Sequence, residues 1–191
     1  MASLSLSLFG AVQATLAGQI IESFRTNKVQ ALLIYIAVEP GAHSREKLTD
    51  LLWPGMPERS ARHNLRQTLY HLRTIIPDPV VELSANDDED ETAPLVVANR
   101  LTIELNPAAG VQVDVHHFQQ LVERTLTHEH PDLLICSDCQ KDLEEAADLY
   151  VDDFLSDFYL EDSNQFEEWA QVQRELYRRE NLDVLATLTP V

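Results

Sequence analysis

The chain has 191 residues, with 14 basic and 32 acidic side chains and a formal net charge of −18. This length allows one full domain and part of another, or two small domains. An apolar content of 45% and a charged content of 24% are ordinary for a globular chain, and they exclude collagen, low-complexity disorder and a disulfide scaffold.

Two further features predict a cytoplasmic protein that has no membrane partner. The longest apolar run, residues 31–38, is much shorter than the roughly 20 residues that cross a bilayer. Residues 1–9 contain no basic side chain, so they do not have the pattern of a secretory signal.

The net charge of the chain also disfavours a nucleic-acid binder, because phosphates are bound by lysine and arginine.

The first part of the chain predicts a small sheet followed by helices. Residues 4–8 alternate between apolar and polar side chains, as a half-buried strand does, and glycines separate two further short stretches at 11–17 and 19–24. Thr26 and Ser44 are suitable N-caps for two helices, each of which ends at a turn that contains proline and glycine.

A third helix is predicted from Pro57, which suits a first helical position, to Ile76. At about 100° per residue, its apolar side chains share one stripe, formed by Ala61, Leu65, Leu69, Leu72 and Ile76. Four arginines and one glutamate give this helix a net charge of +3. One flank can therefore pack, while the other presents cations and amides to solvent.

That exposed flank has the chemistry of a helix that reads the major groove of DNA. Arginine can form two hydrogen bonds with guanine, and asparagine or glutamine can form two with adenine. Cations at the edge of the helix can neutralise phosphates. Base reading is expected of Asn64, Arg66 and Gln67. Phosphate anchoring is expected of Arg59, Arg62 and Arg73. The whole candidate DNA-binding set is Arg59, Arg62, His63, Asn64, Arg66, Gln67, His71 and Arg73.

A solvated basic face on an amphipathic helix is the alternative interpretation of the same residues. The order of elements favours DNA binding, because a short helix and a turn precede the basic helix and strands follow it, as in a winged helix-turn-helix. Residues 80–83 can form a strand, and the five acids at 87–91 are typical of a solvated loop. Apolar runs at 95–97 and 101–105 predict a hairpin.

The second part of the chain is predicted to be helical and carries most of the negative charge. Helices are predicted at 116–126, 138–150 and 166–188. Residues 1–110 hold 9 basic and 13 acidic side chains, a net charge of −4, whereas residues 111–191 hold 5 and 19, a net charge of −14. The charge of the whole chain therefore does not exclude DNA binding by its first part.

Short motifs along nearly the whole chain resemble one family of bacterial regulators. In the first part they are Leu4-x-Leu-x-Leu-Phe-Gly10, Lys28-Val-Gln-Ala-Leu-Leu33, Ser44-Arg-Glu-Lys-Leu48, Leu51-Leu-Trp-Pro54, and Ala61-Arg-x-Asn-Leu-Arg66 followed by Leu69-x-x-Leu-Arg73. In the second part they are Val113-Asp114-Val-x-x-Phe118, Ala147-x-Leu-Tyr150, Asp153-Phe-Leu155, and Phe166-Glu-Glu-Trp169 with Arg174. Together these motifs resemble SARP-type transcriptional activators, the Streptomyces antibiotic regulatory protein class.

The resemblance implies an α+β winged helix, similar to the OmpR-type effector domain, at residues 1–108. It implies an all-α, tetratricopeptide-like bacterial transcriptional activator domain at 109–191, truncated relative to the family. It also implies an activator that binds double-stranded promoter DNA as a dimer or in tandem copies, contacts RNA polymerase and requires no cofactor. Val151-Asp152-Asp153 departs from the Arg-Gly-Asp that the family usually has at that turn.

The only cysteines form a C-x-x-C, which can be free thiols, a redox couple or half of a metal site. Two imidazoles lie close by, and two imidazoles with two thiolates suit tetrahedral zinc. The predicted structural zinc ligands are His128, His130, Cys136 and Cys139. The alternative is surface histidines beside two small buried thiols.

No pattern in the chain predicts an enzyme. The sequence contains neither a glycine-rich phosphate loop nor a G-x-S-x-G nucleophile motif. The rival to a DNA-binding activator is therefore another binding protein, a protein-interaction module of a larger signalling protein that has little affinity for DNA.

Overall fold

The computed structural model describes residues 4–76, 94–128 and 136–189. The predicted strand at 80–83, the acidic run at 87–91 and His130 lie outside these ranges. Within them, no helix is both long and apolar enough to cross a membrane.

The described residues form a mixed α/β structure of six α-helices and seven short strands. The strands are β1 (Leu4–Ser7), β2 (Gln13–Leu16), β3 (Gln19–Ile20), β4 (His43–Ser44), β5 (Val96–Ala98), β6 (Thr102–Leu105) and β7 (Gln112–Val113). The helices are α1 (Asn27–Val38), α2 (Arg45–Leu52), α3 (Glu58–Ile75), α4 (Asp114–Thr127), α5 (Ser137–Leu149) and α6 (Asn164–Leu188). One sheet has the order β3-β2-β1-β7 and the other has the order β4-β6-β5.

The chain divides into two compact units whose segments interleave in sequence. Unit 1 comprises Met1–Ser5, Ala14–Val111 and Leu160–Glu167. Unit 2 comprises Leu6–Gln13, Gln112–Tyr159 and Glu168–Val191. The single domain boundary between residues 108 and 109 stays a prediction.

Unit 1 contains the helices whose starts were predicted from their capping residues. The Thr26 hydroxyl accepts a hydrogen bond from the Val29 N–H at 3.4 Å, and the Ser44 hydroxyl accepts one from the Lys47 N–H at 3.1 Å. Both predicted N-caps are therefore confirmed, and each satisfies an N–H that a helix leaves unpaired at its start. The predicted stretch at 19–24 forms a strand only at Gln19–Ile20.

The predicted hairpin is confirmed as β5 and β6, which are antiparallel with Val96 opposite Leu105. β6 also pairs with β4, so that Ser44 at the start of α2 lies opposite Thr102. The hairpin is thereby attached to the beginning of α2. This attachment places the 98–102 turn beside the start of α2.

Unit 2 has an aromatic core to which the N-terminal segment contributes. The ring of Phe9 is 2% exposed. Its centroid lies 5.4 Å from that of Phe118, 4.8 Å from that of Tyr150 and 5.5 Å from that of Tyr177. The sequence pattern predicted only a sheet for the start of the chain, whereas the structure packs Phe9 among side chains from α4, α6 and the end of α5.

Backbone hydrogen bonds hold the same segment in unit 2. The Asp114 carboxylate accepts from the N–H of Leu8 at 2.6 Å and of Phe9 at 3.0 Å, and burial raises the pKa of this carboxyl group. The Gly10 N–H donates to the Asp153 carbonyl at 3.1 Å. Gly10 has a φ of +86°, and a Cβ at this position would lie 3.2 Å from a methyl carbon of Val151, so glycine suits both the backbone and the space.

Replacing Phe9 by alanine should lower the free energy of unfolding by about 3–5 kcal/mol, because it removes a buried ring that contacts three others. Urea denaturation followed by circular dichroism measures this change. Tyr159→Ala is the control, since that ring is 59% exposed and its loss should cost less than about 0.5 kcal/mol. Equal effects of the two substitutions would contradict the role assigned to Phe9.

Candidate nucleic-acid interface

Two helices and a tight turn form the part of unit 1 that carries the candidate site. α2 ends where the Trp53 N–H donates to the Thr49 carbonyl at 2.8 Å, and Gly55, with a φ of +75°, allows the chain to reverse before α3. Leu48 and Leu52 of α2 are fully buried. These features give α2 and α3 the helix-turn-helix order that the sequence predicted.

A lysine and a short segment from late in the chain support the end of α2. Lys28 forms an ion pair with Asp162 at 2.7 Å, and its Nζ lies 5.7 Å from the centre of the Trp53 ring. The same Nζ donates to the Leu52 carbonyl, and the Ser163 hydroxyl donates to the Leu51 carbonyl. The carbonyls at the end of α2, which the helix itself leaves unpaired, are thereby satisfied.

Burial divides α3 into the two faces that its sequence predicts. All five residues of the predicted apolar stripe are buried, and these are Ala61, Leu65, Leu69, Leu72 and Ile76. The exposed members of the candidate DNA-binding set are Arg59, Arg62, His63, Arg66 and Gln67. The packing of one flank therefore fixes five polar side chains on the surface of a single helix.

Several members of the candidate set have partners within unit 1. The Arg73 guanidinium is half buried and its Nη2 donates to the Val96 carbonyl of β5 at 3.0 Å. Asn64 is also half buried, and its Nδ2 lies 3.2 Å from the sulfur of Met56. Arg62 forms an ion pair with Glu58 at 2.6 Å on the helix surface. Arg73 thus links α3 to the hairpin, a contact that the sequence did not suggest.

A groove of about 750 Å³ lies beside α3 and is lined by the start of α2, one face of α3 and the 98–102 turn. Its lining includes four arginines and one glutamate, which are Arg45, Arg62, Arg66, Arg100 and Glu46. Burial lowers the pKa of Arg45, and the positive charges of Arg66 and Arg73 lower it further. That electrostatic effect shows that several cations share this region of the surface.

Hydrogen bonds hold the 98–102 turn, on which Arg100 is exposed. The Asn99 side-chain oxygen accepts from the N–H groups of Leu101 at 2.7 Å and Thr102 at 2.8 Å. The Arg45 Nε donates to the Asn99 carbonyl at 2.9 Å. Sequence reasoning missed Arg45 and Arg100, although a cation in the turn of a predicted wing was a signal that could have indicated Arg100.

The structure also brings together three of the four predicted metal ligands, all of them in unit 2. One nitrogen of His128 and the sulfurs of Cys136 and Cys139 lie within 4.8 Å of one another. Both thiols are free. Burial raises the pKa of Cys139 to about 11, whereas a hydrogen bond from the Cys139 N–H lowers the pKa of Cys136. His130 lies outside the described residues, so its part in the prediction is untested.

Comparison with known proteins identifies the fold. Over 98% of its length the chain superimposes on EmbR of Mycobacterium tuberculosis, solved in complex with a low-affinity phosphopeptide, with a TM-score of 0.67 and 17% sequence identity. This likeness shows that the chain shares the fold of the matching part of EmbR. The chain spans 46% of the length of EmbR. No family model and no curated protein sequence matches the chain.

Arg73→Ala should lower the free energy of unfolding by about 1–3 kcal/mol, because it removes a half-buried charged hydrogen bond to the hairpin. Arg59→Ala removes the same charge from an exposed position of the same helix and should change stability by less than about 0.5 kcal/mol. Urea denaturation of both variants measures the difference. A loss from Arg59→Ala as large as that from Arg73→Ala would contradict this assignment.

Proposed function

We propose that this chain is a sequence-specific DNA-binding regulator of transcription that inserts α3 into the major groove. The observation that carries this proposal is the groove beside α3, where cations from three separate elements face one surface. Such a surface suits a phosphate backbone, and the exposed face of α3 next to it suits base edges. The fold shared with EmbR and the motifs that resemble SARP-type activators support the same function.

The exposure of each side chain assigns its role within this proposal. Arg66 and Gln67 are exposed on the middle of α3, where guanidinium and amide groups can bond guanine and adenine. Asn64 can join them, because a bond to a thioether sulfur is weak and easily exchanged. Arg73 instead positions the hairpin through Val96.

Phosphate anchoring falls to four arginines, three of which line the groove beside α3. Arg59 and Arg62 are exposed on the first turns of α3, and Arg100 is exposed at the 98–102 turn. Arg45 lies at the start of α2, near the positive helix terminus, which favours an anion. These four arginines can contact the phosphates that border the major groove of DNA into which α3 inserts.

The proposal extends to the partners that the sequence resemblance implies. Binding as a dimer or in tandem copies would match repeated promoter sites, and a contact with RNA polymerase would activate transcription. Exposed apolar side chains on α6 offer a surface for one such contact, with Val172 66% exposed and Leu182 60% exposed. The net charge of −14 in residues 111–191 suits a basic partner surface and weakens non-specific attachment to DNA.

Selection of bound sequences from random duplex DNA tests base reading. The wild-type chain should enrich one motif, and Arg66→Ala should relax the preference at one position and weaken binding about 5- to 150-fold, which corresponds to about 1–3 kcal/mol. Arg179→Ala is the matched control, because it removes an exposed arginine that does not line the groove. Absence of an enriched motif for the wild type at low salt would refute sequence-specific binding.

The salt dependence of binding tests phosphate anchoring separately. Four contacts predict that the logarithm of the association constant falls with the logarithm of salt concentration with a slope of roughly −3 to −4. Arg100→Ala should make the slope less negative by about 1 and should weaken all duplexes equally. A flat salt dependence, together with no selected motif, would favour the protein-interaction module over a DNA-binding regulator.

A further inference from the structure

A cluster of one imidazole and two thiols lies in unit 2 where α4 ends and α5 begins. His128 is the C-cap of α4, Cys136 is the N-cap of α5, and Cys139 lies in the first turn of α5. The Nδ1 of His128 is 3.1 Å from the sulfur of Cys139 and 3.7 Å from the sulfur of Cys136. Side chains from two helix ends therefore converge on one point.

The spacing of these atoms is close to that of a tetrahedral zinc site. Zinc–sulfur bonds of about 2.3 Å and zinc–nitrogen bonds of about 2.0–2.1 Å separate tetrahedral ligands by roughly 3.5–3.8 Å. The three ligand atoms lie within 4.8 Å of one another. The 3.7 Å distance from His128 to Cys136 falls within that range, and the 3.1 Å distance to Cys139 is somewhat shorter. Shifts of no more than about 1 Å would bring all three to bonding distance of one ion.

The surroundings of the cluster leave space for a bound ion and its water ligand. Cys139 is 1% exposed, whereas Cys136 is half buried and His128 is exposed, so one side of the cluster faces solvent. A cavity of about 510 Å³ adjoins His128, and its lining also holds Asp138 and Asp142, which form ion pairs with Lys141 and Arg124. Water can therefore complete the coordination of an ion held by these three side chains.

We propose that His128, Cys136 and Cys139 bind one zinc ion, with water as the fourth ligand, and that the ion fastens the end of α4 to the start of α5. One imidazole and two thiolates form a soft ligand set that suits zinc and does not suit magnesium or calcium. Both cysteines bind as thiolates, and their protons pass to solvent when the metal–sulfur bonds form. This site is independent of the groove beside α3 and has its own test.

Metal binding by the reduced, tag-free chain tests the proposal. After treatment with a chelator, the protein should take up one zinc ion per chain, and Co²⁺ should give the absorption of a tetrahedral site with thiolate ligands. Magnesium and calcium should not compete. At a free zinc concentration about 100 times the dissociation constant, the melting temperature should rise by about 5–10 °C.

Single substitutions identify the ligands without disturbing the core. His128→Ala and Cys136→Ser both lie outside the buried core, and each should weaken zinc binding by about 100-fold or more. His116→Ala is the matched control, because it removes an imidazole from the other end of the same helix, and zinc affinity should not change. Circular dichroism of the metal-free variants confirms that each chain folds.

Three results would overturn the site. They are uptake of less than about one zinc per three chains, zinc affinity in Cys136→Ser equal to that of the wild type, and an equal loss of affinity in His116→Ala. A reduced chain that binds no zinc but forms a disulfide between Cys136 and Cys139 in air would instead identify a redox pair. Loss of DNA binding would not affect this outcome, because uptake of metal is measured directly.

Discussion

Burial of one stripe of α3 is the constraint on which the candidate DNA-binding surface depends. Leu65 is 1% exposed and Leu72 is fully buried, so the helix cannot rotate without exposing apolar area. Removing such side chains from water stabilises a fold by roughly 1.5–3 kcal/mol each. Because the stripe is fixed, Arg59, Arg62 and Arg66 are held on the exposed part of the helix surface next to it.

The hairpin depends on the same helix. Arg73 emerges beside the buried stripe and donates to the Val96 carbonyl, while Arg45 donates to the Asn99 carbonyl in the adjoining turn. Arg73 and Arg45 thus hold backbone of the hairpin, and Arg45 also lines the groove together with Arg62, Arg66 and Arg100. Cations in one small region therefore have different roles, and burial and hydrogen bonding distinguish them.

Local sequence was sufficient to predict the helices because their signals are local. The hydroxyl groups of Thr26 and Ser44 lie next to the N–H groups that they cap, and a helical period alone identifies the stripe of α3. The hairpin around Asn99 was predicted for the same reason, since its turn is made by neighbouring residues. These elements depend on contacts between residues that are close in the chain.

The sequence by itself thus determined the helices, the basic face of α3 and the C-x-x-C near His128, because each depends on spacing along the chain. Only the tertiary structure decided that Phe9 packs with Tyr177 in unit 2. It also decided that Arg73 donates a hydrogen bond to the hairpin rather than facing solvent, and that Arg100 lines the same groove as Arg66. These contacts join residues that are far apart in sequence, and a short pattern carries no information about which distant side chain will fill a given space. Tertiary packing therefore decided which of the predicted polar side chains are available to bind a partner.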